Sequence, residues 1–156
     1  MINHNSAFRI SKKGFTLVEL LVVIAILGIL MSLVTAGAQA ARRKAAVTKS
    51  KAMIAGLETA IAMYQADMGA YPPSGNQPLV QSLSTDPNDP DWTGPYQEFK
   101  QDELVNGKLI DSWGKPYVYV STTGGSPKHR TNSYDLYSLG PNGQDDDGTQ
   151  DDIFNW

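Results

Sequence analysis

No cysteine occurs among the 156 residues, so the chain has neither a disulfide to staple it nor a thiol nucleophile. Histidine is nearly as scarce: His4 lies at the start and His129 in a polar stretch, and no Gly-x-Ser-x-Gly elbow accompanies them. Enzymatic readings therefore have little to stand on. Basic charge is in deficit, with 13 Lys and Arg against 16 Asp and Glu, which argues against nucleic acid as a direct partner. Charge of either sign is missing from Leu20 to Ala41. At about 1.5 Å per helical residue that run covers the roughly 30 Å hydrocarbon core of a bilayer.

Ahead of it stands Lys12-Lys13-Gly14-Phe15-Thr16-Leu17-Val18-Glu19-Leu20, a basic leader joined to an apolar segment with one carboxylate near its start. A secretory signal has an apolar region of about 7 to 15 residues and an Ala-x-Ala cleavage site. Ala38-Gln39-Ala40 offers the site, but the run is too long and Glu19 would lie inside it. A plain anchor explains the length and leaves Glu19 idle, at a cost on the order of a few kcal/mol deep in a bilayer.

The string GFTLVELLVVIAILGIL, Gly14 to Leu30, resembles the class III signal of type IV pilins and of the pseudopilins of type II secretion systems. The match lies in the Gly, the following Phe, the Glu four residues on and the apolar run behind it. The resemblance implies that a prepilin peptidase removes Met1 to Gly14 and N-methylates Phe15. The new α-amine, with a reference pKa of about 8, is largely cationic at neutral pH. In a staggered fibre the amine of an incoming subunit meets the Glu19 carboxylate of a neighbour, which compensates two charges costly alone in an apolar surround. The mature chain then holds ten Lys and Arg against 16 acids, a formal net charge of −6.

Arg9, Lys12 and Lys13 precede the span and Arg42, Arg43 and Lys44 follow it, so charge alone does not orient it. The family's topology does. It implies a single pass through the cell inner membrane, the N-terminus cytoplasmic before processing and the head periplasmic, with the second basic cluster near membrane lipid.

From Ala45 to Met68 there is no Pro, and Ile54, Leu57, Ile61, Tyr64 and Met68 recur at three- and four-residue steps. This predicts an amphipathic stripe on a helix continuous from about Phe15 to Met68, ended by Gly69 and Tyr71-Pro72-Pro73. Residues 72–95 read as loop, with short helical turns at most. Tyr117–Val120 and Tyr134–Leu139 read as an antiparallel hairpin with a long loop, joined by a further strand near Leu104–Ile110. The expected fold is α+β and pilin-like: a long N-terminal helix, transmembrane in its first half, packed against a small antiparallel sheet with a calcium-binding C-terminal loop.

Asp111-Ser112-Trp113-Gly114-Lys115-Pro116-Tyr117 and Thr93-Gly94-Pro95-Tyr96 resemble segments of the major pseudopilins in the expected order. Their residue types suit a turn and core anchors rather than a reaction.

In the tail, Asp145, Asp146, Asp147, Asp151 and Asp152 gather within eight residues, with no cation nearby in sequence. Oxygen donors on a Gly-punctuated loop suit Ca²⁺, and Zn²⁺ is disfavoured without His or Cys. The EF-hand template does not fit, and by spacing alone a solvated acidic tail is an equal reading. Ser138 to Gly143 and Asp151 to Trp156 resemble the calcium loop of major pseudopilins. That resemblance implies a structural Ca²⁺ held by the Leu139 carbonyl, Asn142, Asp151 and Asp152. Asn142 stands where the family commonly has Asp, so Asp145 or Asp147 replaces the missing carboxylate.

The expected organisation is a leader over 1–14, a membrane and assembly segment over 15–41, an amphipathic helical half over 42–68 and a globular head over 69–156. The expected function is that of a major pseudopilin, not an enzyme, which polymerises with itself into the periplasmic pseudopilus of type II secretion. Minor pseudopilins, prepilin peptidase, the inner-membrane assembly platform and its ATPase are the implied partners. A type IV pilin for adhesion, twitching or DNA uptake is the alternative, and a membrane-anchored binding module is one of another class.

Overall fold

The computed structural model describes residues 14–156, and the leader up to Lys13, with His4, Arg9 and Lys12, lies outside the described residues. The chain divides into two compact units, Met1–Ala41 and Arg42–Trp156. Helix α1 is Leu17–Met68. In the first unit Leu17, Leu20, Ile24, Leu27 and Leu30 stand exposed. The most apolar 18 residues of α1 have a mean hydropathy of 2.9, and it is the one helix among the described residues long and apolar enough to cross a membrane.

In the second unit α1 becomes one-sided. Ile54, Leu57, Ala60 and Ile61 are buried, Tyr64 packs beside them and Met68 is half-buried at the end, so the expected stripe forms the floor of the core. After it comes a second helix, α2, Asn76–Ser84, where sequence reading gives loop. Pro78 hides this helix in composition, yet it falls in the first turn, where no intrahelical amide bond is lost. Leu79, Val80 and Leu83 turn inward from α2 onto the same core. The Asn76 side chain holds α2 in place: its Nδ2 donates to the carbonyls of Leu109 (2.9 Å) and Tyr117 (2.7 Å), and its Oδ1 accepts from the Leu109 amide at 2.6 Å.

Strands β1 (Leu104–Val105) and β2 (Lys108–Leu109) pair with each other alone. The expected third strand of the main sheet is thus a separate hairpin, because Asn106 and Gly107, at φ 52° and 73°, turn the chain back after two residues. The main sheet is antiparallel in the order β3 (Val118–Ser121), β4 (Tyr134–Ser138), β5 (Ile153–Phe154). Its third strand comes from the tail, with Tyr137 opposite Phe154 and Ser138 opposite Ile153. Leu109, Tyr117, Tyr119, Leu136 and Ile153 complete one core with the helices, and Trp113 packs on its edge.

Removing most of the Leu57 side chain should lower the unfolding free energy of the Arg42–Trp156 unit by about 2–5 kcal/mol, read as a lower urea midpoint for Leu57→Ala. Alkaline pH probes the same core. Burial pushes the Tyr117 and Tyr134 phenols up to about 12 from an ordinary 10. Their contribution is complete below pH 10, where an unfolded tyrosine is also neutral, and is lost as pH rises through 12. Stability should fall across that window, and less steeply in a Tyr134→Phe variant.

Candidate assembly and metal-loop sites

Gly14 and Phe15 precede the first turn of α1 and are both exposed, with nothing within 4 Å of a Cβ built on Gly14. Glu19 is not idle in the single chain. The Thr16 amide and hydroxyl both donate to Glu19 Oε2, at 2.9 and 2.8 Å, and the Glu19 amide donates to Thr16 Oγ1 at 3.2 Å. This reciprocal pair is a capping box, which the sequence reading missed although Thr-x-x-Glu at 16–19 is its signature. The box satisfies amides that the start of a helix otherwise leaves bare. It also holds the carboxylate one turn beyond Phe15.

The Asp111–Tyr117 segment is a joint. Buried Asp111 accepts the Trp113 and Lys115 amides on Oδ1 (2.9 and 2.8 Å) and the Ser138 hydroxyl on Oδ2. Ser112 donates to the Ala46 carbonyl of α1 at 3.1 Å, and its hydroxyl lies 3.2 Å from that of Ser50. One turn thereby ties α1 to the end of β4, where the acidic loop begins.

That loop is drawn closed at its base. A Cβ on Gly140, at φ +60°, would lie 2.3 Å from the Asp151 carbonyl oxygen, so only glycine allows the two ends to meet so closely. The Asn142 amide donates to Asp151 Oδ2 at 3.0 Å, and the Gly143 amide reaches back to the Leu139 carbonyl at 3.2 Å. Asp145 accepts the Tyr137 hydroxyl at 2.8 Å and the Asp147 amide at 3.1 Å. Asp146, outside the expected ligand set, accepts from the Asn142 side chain at 2.6 Å.

Asp152 differs from the others. Its Oδ2 accepts the amides of Asp146 (2.9 Å) and Gly148 (3.1 Å), while Oδ1 is buried with no hydrogen-bond partner. Burial pushes this carboxyl above its usual range, with Asp146 and Asp145 adding to the effect and the two amides opposing it. A buried, unpartnered carboxylate oxygen is what a bound cation would compensate. Leu139, Asn142 and Asp151 lie on the same closed base and carry the oxygen donors Ca²⁺ prefers. Among the described residues no three His, Asp or Glu side chains already converge as a metal cluster.

The fold also brings cations that the local sequence lacks. Asp147 pairs with Lys128 (2.5 Å) and with His129 Nε2 (2.9 Å), and these two, Lys128 first, hold its carboxyl below the usual range. Asp147 is thus committed to protein partners, and both oxygens of Asp145 also accept hydrogen bonds, from the Tyr137 hydroxyl and the Asp147 amide. His129 stacks on Trp156 with ring centroids 4.0 Å apart, and Trp156 stacks on Phe154 at 4.7 Å. The 128–130 turn is itself fixed by buried Asp135, which accepts the amides of Lys128, His129 and Arg130 at 2.6, 3.0 and 2.8 Å.

Comparison with known proteins bears on both regions. Residues 38–156 match the family described as type II secretion system (T2SS), protein G, and residues 9–35 match the prokaryotic N-terminal methylation motif. The type II secretion system core protein G of Pseudomonas aeruginosa is 34% identical over 151 residues, covering 95% of this chain and 97% of that protein. The protein of the same name from Escherichia coli K12 is 38% identical over 145 residues, 93% of this chain and 91% of that one. The major pseudopilin of the type 2 secretion system of enterohaemorrhagic Escherichia coli is similar in structure, with a TM-score of 0.46 and 27% identity over 76% of this chain and 92% of that one.

A methyl group at position 140 should force the loop base apart. Gly140→Ala should lower stability by about 1–3 kcal/mol, through strain at a positive φ and the clash with Asp151. Near-ultraviolet circular dichroism of the Trp156 stack should weaken in the same variant.

Proposed function

The chain belongs to the type II secretion system protein G family, that of the major pseudopilins, and from that premise we propose how its residues serve a structural subunit of the secretion pseudopilus. The family is one of fibre subunits rather than enzymes. The observation that carries the reading is a conjunction on one chain. A methylation motif over 9–35 precedes a protein G match over 38–156, and Glu19 is the only charged residue between Gly14 and Arg42.

Prepilin peptidase cuts between Gly14 and Phe15, at an exposed position ahead of the helix where a residue without a side chain admits a protease to the backbone. Phe15 is N-methylated and keeps its positive charge. The apolar first half of α1 stores the subunit in the inner membrane with the head periplasmic. During assembly by the inner-membrane platform and its ATPase, the Phe15 amine of one subunit pairs with Glu19 of another. The Thr16 capping box supports this by fixing the Glu19 carboxylate at the start of the helix before a partner arrives. Minor pseudopilins share the fibre.

Ca²⁺ serves the head structurally. Leu139, Asn142, Asp145, Asp151 and Asp152 would hold it, and it would supply positive charge to a loop that otherwise repels itself. The orphaned oxygen of Asp152 supports this reading. The loop's own residues do the rest. Gly140 lets its ends approach, and its closure delivers Ile153 and Phe154 to β4 as the third strand.

Glu19→Ala should be processed and inserted normally yet yield no fibres by electron microscopy, and abundant fibres would end the pairing hypothesis. The Arg42–Trp156 unit should melt higher in Ca²⁺ than in chelator, by RT ln(1 + [L]/Kd) in free energy. Asp152→Asn should remove that increment, and equal melting in both buffers for the parent would eliminate the metal.

A further inference from the structure

Half of the mature chain's cations stand on ten consecutive residues. Arg42, Arg43, Lys44, Lys49 and Lys51 form a collar on α1, out of ten Lys and Arg after Gly14, and no carboxylate lies between Glu19 and Glu58. All five are exposed, and none joins the ion pairs formed among the described residues. Further along the same unit the sign reverses. Residues 85–103 carry six acids, from Asp86 to Glu103, against the single Lys100, and none of the six is in an ion pair among the described residues.

Asp86 and Thr85 line an open groove of about 410 Å³ together with Tyr64, Pro73, Pro78 and Pro87. Proline faces and a tyrosine ring accommodate the alkyl stem and guanidinium of an arginine, and the adjacent carboxylate completes the match. Within one chain the two features cannot meet. Tyr64 follows Arg43 by 21 residues on one helix, about 32 Å along its axis.

We propose that the basic collar of one copy docks on the Tyr64–Asp86 groove of a second copy displaced by about 30 Å along the helix axis. The proposal rests on the homopolymer reading. Anionic lipid headgroups would suit the collar too, but they would leave the acids of 85–103 uncompensated. A second copy answers both surpluses, five cations against six acids, on a subunit whose formal net charge of −6 otherwise opposes stacking. The contact complements the one at Phe15 and Glu19, since it joins copies at a different axial offset.

The absence of native cysteine makes the test direct. The full chain carrying Ala45→Cys and Thr85→Cys, assembled into fibres in its own secretion system, is treated with a short bismaleimide. The expected result is a ladder of covalent oligomers, with each single-cysteine chain stopping at dimers. Arg43→Glu in the double-cysteine chain should cut the ladder about tenfold, and Asp86→Arg added to it should restore the ladder. Fibres that give no ladder overturn the proposal. So does an Arg43→Glu chain whose ladder is intact while its binding to anionic vesicles is lost, which assigns the collar to lipid. A parent chain that forms no fibres at all sinks the homopolymer reading instead, and the docking contact with it.

Discussion

Burial of one stripe of α1 is the constraint on which the rest of the head depends. Ile54, Leu57, Ala60 and Ile61 cannot be left in water, and without cysteine nothing covalent holds a cover over them. Each covering element is short: nine residues in α2, two to five in the strands. None would be stable alone, since an isolated helix of that length or a two-stranded ribbon is marginal in water. Their stability is collective, and polar side chains fix their register on the stripe. Asn76 binds α2 to Leu109 and Tyr117, and Ser112 binds the Trp113 turn to α1.

Buried carboxylates recur in this head, and their surroundings separate scaffold from site. Asp135 accepts three amides and Asp111 accepts two plus a hydroxyl, so both are satisfied anchors of turns. Asp152 keeps one buried oxygen without a donor. Low dielectric makes an unpaired polar atom costly, so the loop that carries it is a weak point among the buried side chains of the described residues. The same loop supplies the third strand. Loop closure and sheet completion are therefore one event, and calcium, as proposed, would act on both.

Charge is also distributed with a pattern. Glu19 is alone in an apolar run, cations cluster just beyond that run, and most of the acids fall after residue 85. A soluble monomer gains nothing from such segregation, whereas a subunit that stacks with axial displacement brings unlike segments together. The capping box at Thr16 and Glu19 shows how one residue serves two scales, finishing a helix in the single chain and presenting a carboxylate to a partner in the fibre, as proposed.

The long helix, its apolar first half, its buried stripe and the strands around Tyr119 and Leu136 were legible in residue order, because each rests on a period within a few turns of chain. So was the N-terminal methylation motif, within which Gly14, Phe15 and Glu19 lie. Three features were not. Proline and serine masked α2, whose inward Leu79 and Leu83 matter only once α1 supplies a surface to meet. The third strand came from Ile153–Phe154 rather than from near Leu104, because Asn106-Gly107 closes a local hairpin and the free edge of β4 is reached only through the acidic loop. Lys128 and His129 reach Asp147 across eighteen or more residues, a contact no local count of charge reveals. Local periodicity and an N-terminal signal settled that this chain has a long apolar helix and the features of a fibre subunit. Which carboxylates are anchors and which one is left open was decided by tertiary packing, since burial and donor geometry exist only after distant segments have met.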